Sequence, residues 1–256
     1  MEGSKLDKVT SRRQLNGLRN LAGMECNRWI QTHRWLTNSL IYLFIFQFLI
    51  LSNILTSPYK YYTQIGINQI YQLVPFFVPI GVIVMLGNEV IKEKEFGTLA
   101  WVLTNPVNRS SFVLAKFLVN IPWALVIIVG IEWVSCWLVF PIYNQILPPF
   151  EVYVALMGIN MLYALFYITF TLMLGFFLKS RGAVIGIPMI VLLAQFWLEG
   201  QLVKSGLIKL LPQSLNNIMG SMISGFQVDF FPIAAVSVWC VIFVAGSMWR
   251  IKREQF

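Results

Sequence analysis

Long apolar runs without strict alternation dominate the chain, and short polar segments separate them. A membrane-spanning helix needs about 20 mainly apolar residues. Unalternating runs of this length favour helices over the strands of a barrel. The pattern therefore predicts an all-α membrane protein with six transmembrane helices. The predicted spans are Leu36–Thr56, Tyr71–Val90, Phe112–Phe140, Tyr153–Leu178, Ala183–Leu198 and Phe230–Trp249.

Composition agrees with this interpretation. Of the 256 residues, 57% are hydrophobic and only 12% are charged, whereas soluble domains carry about 25% charged residues. The three cysteines, Cys26, Cys136 and Cys240, have the spacing of neither a metal site nor a redox pair. We therefore expect an integral membrane protein without a disulfide.

The basic residues divide unevenly between the two sides of the predicted spans. Six spans place 16 of the 19 lysines and arginines on one side. The other side holds Lys60, Lys204 and Lys209. Cytoplasmic loops carry an excess of Lys and Arg, so we expect both termini in the cytoplasm. Because the sequence shows no organelle signal and has a single-unit design, we expect a plasma membrane of prokaryotic type. The net charge of +8 then reports topology, and no nucleic-acid partner is expected.

Two segments outside the spans are expected to be helical. Residues 1–35 form a basic amino-terminal segment, in which Leu15, Leu18, Ala22 and Trp29 recur at near-helical spacing. This spacing indicates an amphipathic helix on the membrane surface, in contact with lipid; the plainer alternative is a soluble basic tail. Residues 199–229 predict one or two short outer helices before the last span, or an ordinary surface loop. The six-helix domain then covers residues 36–249, with a cytoplasmic tail at 250–256.

The connection between the second and third spans has an unusual composition. Thr98 can cap a short helix, and the residue before Pro106 is disfavoured in a helix, so the pattern predicts a helix over 98–105. Leu99, Val102 and Leu103 share one face of that helix. An apolar face below the membrane needs a cover, which either a partner protein or the lipid surface could supply.

The same connection resembles the ABC-2 type permeases, the membrane subunits of ATP-binding-cassette exporters. The likeness lies in an acidic start, Gly-Thr-Leu, a short apolar run, Pro-Val-x-Arg and a Lys that opens the next span. The residues that carry it are Glu93, Glu95, Gly97, Thr98, Leu99, Leu103, Pro106, Val107, Arg109 and Lys116. The six-span topology and the flanking helices extend the resemblance over most of the chain.

The resemblance implies a function and partners. The 98–105 helix would be a coupling helix seated in a separate ABC ATPase subunit, with Leu99, Val102 and Leu103 packed against that subunit. Glu93, Glu95 and Arg109 would set its register as rim charges. A second permease protomer, identical or related, would complete the path for an amphipathic or hydrophobic cargo such as a drug, a lipid-linked molecule or a peptide.

The chain itself carries no recognisable catalytic motif. It has no GxxxxGK[ST] phosphate loop, no HExxH and no GxSxG, and its one histidine, His33, has no evident partner in the sequence. We therefore expect no enzyme activity and no cofactor in this chain, with ATP and Mg²⁺ held by the partner ATPase.

Two carboxylates lie within or beside predicted spans and are candidates for a pathway or gate. Glu132 lies well inside the third span, where a charge is costly. It would be a polar point on the transport path or a member of an interhelical hydrogen bond. Glu89 ends the second span and would pair with Lys92 or Lys116 or line an inner gate. Two other functions stay open: an ATP-independent secondary transporter or channel that uses Glu132, and a membrane scaffold or sensor.

Overall fold

Helices account for all the regular structure in the described part of the chain. The computed structural model describes residues 3–56, 65–95, 109–143, 145, 147–224, 226–227 and 229–253. Its α-helices are α1 (Gly3–Gln31), α2 (Arg34–Thr56), α3 (Ile65–Leu86), α4 (Glu89–Glu95), α5 (Arg109–Leu125), α6 (Ile131–Val139), α7 (Phe150–Phe177), α8 (Arg181–Ser205), α9 (Ser214–Ser224) and α10 (Phe231–Arg253). The predicted all-α class is confirmed for these residues.

Within the described part of the chain, five helical segments are long and apolar enough to cross a membrane. They are Arg34–Ser52, Tyr71–Glu95, Arg109–Tyr143, Phe150–Phe177 and Phe231–Arg253. Each overlaps a predicted span, and α8 contains a shorter apolar stretch, Arg181–Trp197. The structure therefore supports a membrane protein with about five spans.

Two of the spans differ internally from the prediction. In the second, α3 ends at Leu86 and a turn at Gly87 and Asn88 separates it from α4. In the third, a π-helical turn at Val126–Gly130 joins α5 to α6, and a 3-10 turn at Phe140–Tyr143 follows. Hydropathy cannot reveal the π-helical turn, because its residues are as apolar as those of a regular helix; the turn at Gly87 and Asn88 lies close to the predicted end of its span, where the charged residues of α4 begin.

A proline inside α3 is accommodated by a neighbouring helix. Pro79 has no N–H, so the carbonyl of Pro75 loses its usual partner four residues along. The Tyr163 hydroxyl of α7 donates to that carbonyl at 3.0 Å. The hydrogen bond that the proline removes is thus replaced from another span.

The core of the bundle is centred on α7. This helix packs against α3, α5, α8, α9 and α10, and its Tyr163, Tyr167 and Phe176 are fully buried. Phe243 of α10 packs edge-on against Phe166. Because α7 contacts so many partners, it has buried residues on several faces, as a central helix of a bundle should.

The amino-terminal segment is helical, and its carboxyl-terminal part packs on protein. Trp29 of α1 is fully buried and stacks on Trp123 of α5 with 6.0 Å between ring centroids. The expectation that Trp29 marks a lipid-facing surface is therefore wrong for this residue, whose ring packs on protein. The chain turns between α1 and α2 at His33, a non-glycine residue with φ of 50°.

The region before the last span is also helical. α8 continues to Ser205, and a 3-10 turn at Leu207–Leu210 precedes α9. Leu215, Ile218 and Met219 of α9 are buried, so this segment is packed against the bundle and is not a plain surface loop. That it lies on the outer face stays a prediction.

Candidate functional site

Several helix ends meet at one end of the bundle. α2, α5 and α8 begin there, and α4 and α7 end there; polar contacts between these helices bring their termini together. This end is called the basic end below. It carries the flanks of the connection at residues 96–108, so every flanking charge singled out from the sequence lies in this region.

Six charged side chains form an ion cluster at the basic end: Glu25, Arg28, Arg34, Glu89, Glu93 and Lys116. Lys116 Nζ lies 2.9 Å from Glu25 Oε2 and 2.5 Å from Glu93 Oε1. Arg28 binds Glu93 at 2.9 Å and Glu25 at 3.1 Å. Glu89 accepts from both Arg28 and Arg34.

Helical spacing explains why these residues converge. Glu25 and Arg28 are three positions apart on α1, and Glu89 and Glu93 are four apart on α4, so each pair shares one face of its helix. Lys116 lies on α5 in the third span. The faces of α1, α4 and α5 point to a common volume, and the start of α2 closes it with Arg34.

The ion cluster is electrically balanced and has a buried centre, although Arg28 and Arg34 are partly exposed. It holds three carboxylates and three cations. Glu89 is fully buried, and Lys116 is 2% exposed. Burial alone would lower the pKa of the Arg28 guanidinium, but the three carboxylates around it outweigh burial and raise that pKa above its ordinary value. Removing a single member would therefore leave an uncompensated buried charge.

A tryptophan and an asparagine support the cluster from α1 and α5. Trp29 Nε1 donates to Asn120 Oδ1 at 3.1 Å, and Asn120 Nδ2 donates to the Lys116 carbonyl at 2.8 Å. The Arg34 guanidinium lies 5.0 Å from the centroid of the Trp29 ring, within the range of a cation–π contact. The hydrogen bond fixes the Trp29 ring against α5, and the ring in turn holds Arg34 beside the carboxylates.

α4 has a second set of attachments that does not involve the cluster. Lys94 Nζ donates to the carbonyls of Phe176 and Leu178 at 2.7 and 3.2 Å. It thereby satisfies acceptors that the end of α7 leaves without helical partners. Arg181, the first residue of α8, donates through Nε to Glu95 at 3.0 Å. α4 is thus joined to five neighbouring helices.

The flanking charges of the predicted coupling helix are accounted for in part. Glu93 belongs to the ion cluster, Glu95 binds Arg181, and Arg109 begins α5. Glu89 pairs with Arg28 and Arg34; the alternative that it pairs with Lys92 is wrong, and no salt bridge joins it to Lys116. The remaining docking residues, Gly97, Thr98, Leu99, Val102, Leu103 and Pro106, lie outside the described residues.

Sequence reasoning missed Glu25, Arg28 and Arg34 as members of a site. It counted the two arginines only as topology signals. A usable signal was present, because the third span holds a lysine among apolar residues, and a lysine in that setting requires carboxylate partners.

Glu132 lies apart from this cluster. It is 1% exposed, and neither carboxylate oxygen has a hydrogen-bond partner among the described residues. Ser135, three residues after Glu132, accepts a hydrogen bond from Gln47 of α2. Gln47 lies 13 residues after Arg34 on that helix, which is about 20 Å along its axis, so Glu132 is far from the ion cluster. The interhelical hydrogen bond considered for Glu132 is absent from the described contacts. Its role as a pathway residue stays a prediction.

The described residues contain no group of three or more His, Cys, Asp or Glu side chains that could hold a metal ion. A search among curated proteins found no match. A family model described as "Protein of unknown function (DUF2705)" matches residues 26–256, which include the whole ion cluster except Glu25. Because that match covers most of the sequence, the chain belongs to the DUF2705 family.

Proposed function

We propose that this chain is the permease subunit of an ABC-2 type exporter, driven by a separate ABC ATPase. The observation that carries the proposal is that α4 and α5, the helices on either side of residues 96–108, are both anchored to the bundle. On one side α4 is held by the ion cluster, by Lys94 and by Glu95. On the other side α5 is held by Lys116. Because both flanking helices are anchored, a force applied to the connection between them would be transmitted to the bundle.

The course of α8 supports six crossings. This helix has 25 residues, or about 37 Å of helix, and it begins beside Glu95 at the basic end. The 3-10 turn after α8 contacts α10, because the carbonyl of Leu210 accepts a hydrogen bond from Nε1 of Trp239 at 3.1 Å. α8 added to the five apolar segments makes six spans, with both termini in the cytoplasm of a prokaryotic cell.

The contacts at the basic end support a mechanical role for the connection. When two ATPase subunits close on ATP, they would displace the predicted helix at 98–105. Because Glu93 is bound to Arg28 and Lys116, a displacement of α4 would move α1 and α5 with it. Lys94 and Glu95 would carry the same displacement to α7 and α8. The bundle would thus respond as a unit and open a path between two protomers for an amphipathic or hydrophobic cargo.

Docking is tested by a matched pair of substitutions in the connection. The tagged chain is purified from the membrane of its native cells, and a co-purifying cassette ATPase is identified and counted by mass spectrometry. Leu103→Asp places a charge on the predicted docking face and should release the ATPase. Thr104→Asp adds the same charge one residue along, about 100° around the predicted helix and off its apolar face, and should retain the ATPase. Retention of the ATPase at wild-type stoichiometry by Leu103→Asp would refute the docking assignment.

One observation favours a second function, an ATP-independent transporter or channel. Glu132 is a buried carboxylate whose oxygens have no hydrogen-bond partner in the described part of the chain, and such residues often mark ion or proton paths. Transport by proteoliposomes separates the two functions. A transporter of this kind works with an ion gradient alone and fails with Glu132→Gln, whereas the exporter requires ATP and the ATPase.

A further inference from the structure

A groove between α2 and α3 leads from the ion cluster into the apolar part of the bundle. Its volume is about 490 Å³, within the range of about 300–1,000 Å³ that is usual for small-molecule sites. It is contained entirely within the described residues. Its floor is formed by Ile127 and Ile128 of the π-helical turn.

The groove has a polar mouth and an apolar interior. The mouth is lined by Thr32, Arg34, Thr37, Asn38, Asn88 and Lys92, and the interior by residues such as Phe46, Phe77, Ile80 and Met85. The mouth thus holds two cations, and none of the lining residues is acidic. Arg34 is balanced by Glu89 behind it, so the exposed Lys92 supplies the excess positive charge.

An unused acceptor lies at the same mouth. Asn88 Oδ1 is buried and has no hydrogen-bond partner among the described residues. A buried acceptor left in this way is costly unless a donor binds it. The mouth is therefore suited to a ligand that carries both a negative charge and a hydroxyl donor.

The interior has the length and exposure expected of an acyl-chain site. From Arg34 to Phe46 the lining helix rises by about 18 Å, close to half of a hydrocarbon core that is about 30 Å thick. Ile41, Ile45 and Val84 line the groove and are each about half exposed. An apolar chain lying against them would cover surface that the described part of the protein leaves open.

We propose that the groove binds one anionic phospholipid whose headgroup carries a hydroxyl, from the leaflet at the basic end. Its phosphate lies between Lys92 and Arg34, and its headgroup hydroxyl donates to Asn88 Oδ1 once the half-buried Asn88 side chain turns toward the groove. One acyl chain runs along Ile41, Ile45 and Val84. The inference requires only that the chain spans a membrane, so it is independent of the proposed ATPase.

The test compares two lipids with identical acyl chains, phosphatidylglycerol and phosphatidylcholine. The full chain is purified in detergent, stripped of lipid and titrated with each, and bound lipid is counted by native mass spectrometry. The wild type should prefer phosphatidylglycerol. Lys92→Gln should weaken phosphatidylglycerol binding about fivefold and leave phosphatidylcholine binding unchanged. Lys252→Gln removes an exposed cation of α10 and should change neither.

A second pair of variants tests the acyl-chain path. Ile45→Trp should fill the groove and abolish binding of phosphatidylglycerol. Val84→Trp on the facing helix should have the same effect and replaces Ile45→Trp if that variant fails to fold. Leu40→Trp is the control, because Leu40 is exposed on α2 but does not line the groove. Equal binding of both lipids, or unchanged binding in Ile45→Trp, would overturn the proposal. So would loss of a dimer in Ile45→Trp without loss of lipid, since the groove would then be a subunit interface.

Discussion

Replacing Lys116 with methionine removes one charge from the centre of the ion cluster and keeps a side chain of similar length. Lys116 Nζ lies 2.9 Å from Glu25 and 2.5 Å from Glu93. Without it, three carboxylates face two guanidinium groups, and the buried cluster has a net charge of −1. Breaking a buried ion pair by removing one partner costs about 3–5 kcal/mol, and we expect Lys116→Met to lose stability in this range.

A compensating substitution separates the effect of charge from the effect of shape. Glu93→Gln in the Lys116→Met background leaves Glu25 and Glu89 facing the two arginines, so the cluster is balanced again. The amide oxygen of the glutamine can still accept from Arg28. We therefore expect the double variant to be more stable than the sum of the two single losses predicts, by about 0.5–3 kcal/mol.

Thermal unfolding of the purified chain in detergent, followed by size-exclusion chromatography, provides the measurement. For a chain of this size 1 kcal/mol corresponds to about 2–4 °C in Tm, so Lys116→Met should lower Tm by on the order of 10 °C. Lys252→Met is the matched control at an exposed lysine and should change Tm little. A Tm loss no larger than that of the control, or strictly additive losses in the double variant, would refute the charge-balance argument.

Three further predictions concern other parts of the bundle, each measured as Tm. Tyr163→Phe removes the donor to the carbonyl freed by the proline of α3 and should cost about 1–3 kcal/mol; an unchanged Tm would mean that the carbonyl finds another donor. Gly175→Ala would bring its Cβ within 2.9 Å of a valine on α4 and should cost about 1–3 kcal/mol, whereas Gly158→Ala, with nothing within 4 Å, should be neutral or gain up to about 1 kcal/mol. The hydrogen bond from Lys209 lowers the pKa of Asp229, so the pair stabilises the fold above the unfolded pKa of about 3.9 and ceases to do so as the pH falls through the folded value. Asp229→Asn should therefore be less stable than the wild type at neutral pH and equal to it below both pKa values; a difference in Tm that persists there would contradict this assignment.

The positions of the spans could be predicted from the sequence because hydropathy is a local property. The prediction for the fourth span began at Tyr153 and the helix begins at Phe150; the prediction for the last began at Phe230 and the helix begins at Phe231. The π-helical turn was missed because its apolar residues leave the average hydropathy unchanged, and the turn at Gly87 and Asn88 was missed because it lies within four residues of the predicted end of the second span.

The ion cluster could be predicted only in fragments. Glu89, Glu93 and Lys116 stand out as charges at span ends, but their partners come from α1 and from the first residue of α2. Pairing between residues so far apart along the chain leaves no local pattern. The spacing that suggested a lipid-facing helix is equally compatible with a helix that packs on protein. Trp29 packs on protein, where its indole N–H donates to Asn120 Oδ1.

The long-range pairing of the ion cluster has a consequence for biogenesis. Lys116 is separated from Glu25 by 91 residues, and Arg28 and Arg34 from Glu89 by 61 and 55. Arg28 and Arg34 emerge from the ribosome before Glu89 does, so at that stage they are still without this partner and can help to orient the nascent spans. They are neutralised only when the inserted helices assemble, so the same side chains first direct insertion and afterwards fasten the finished bundle.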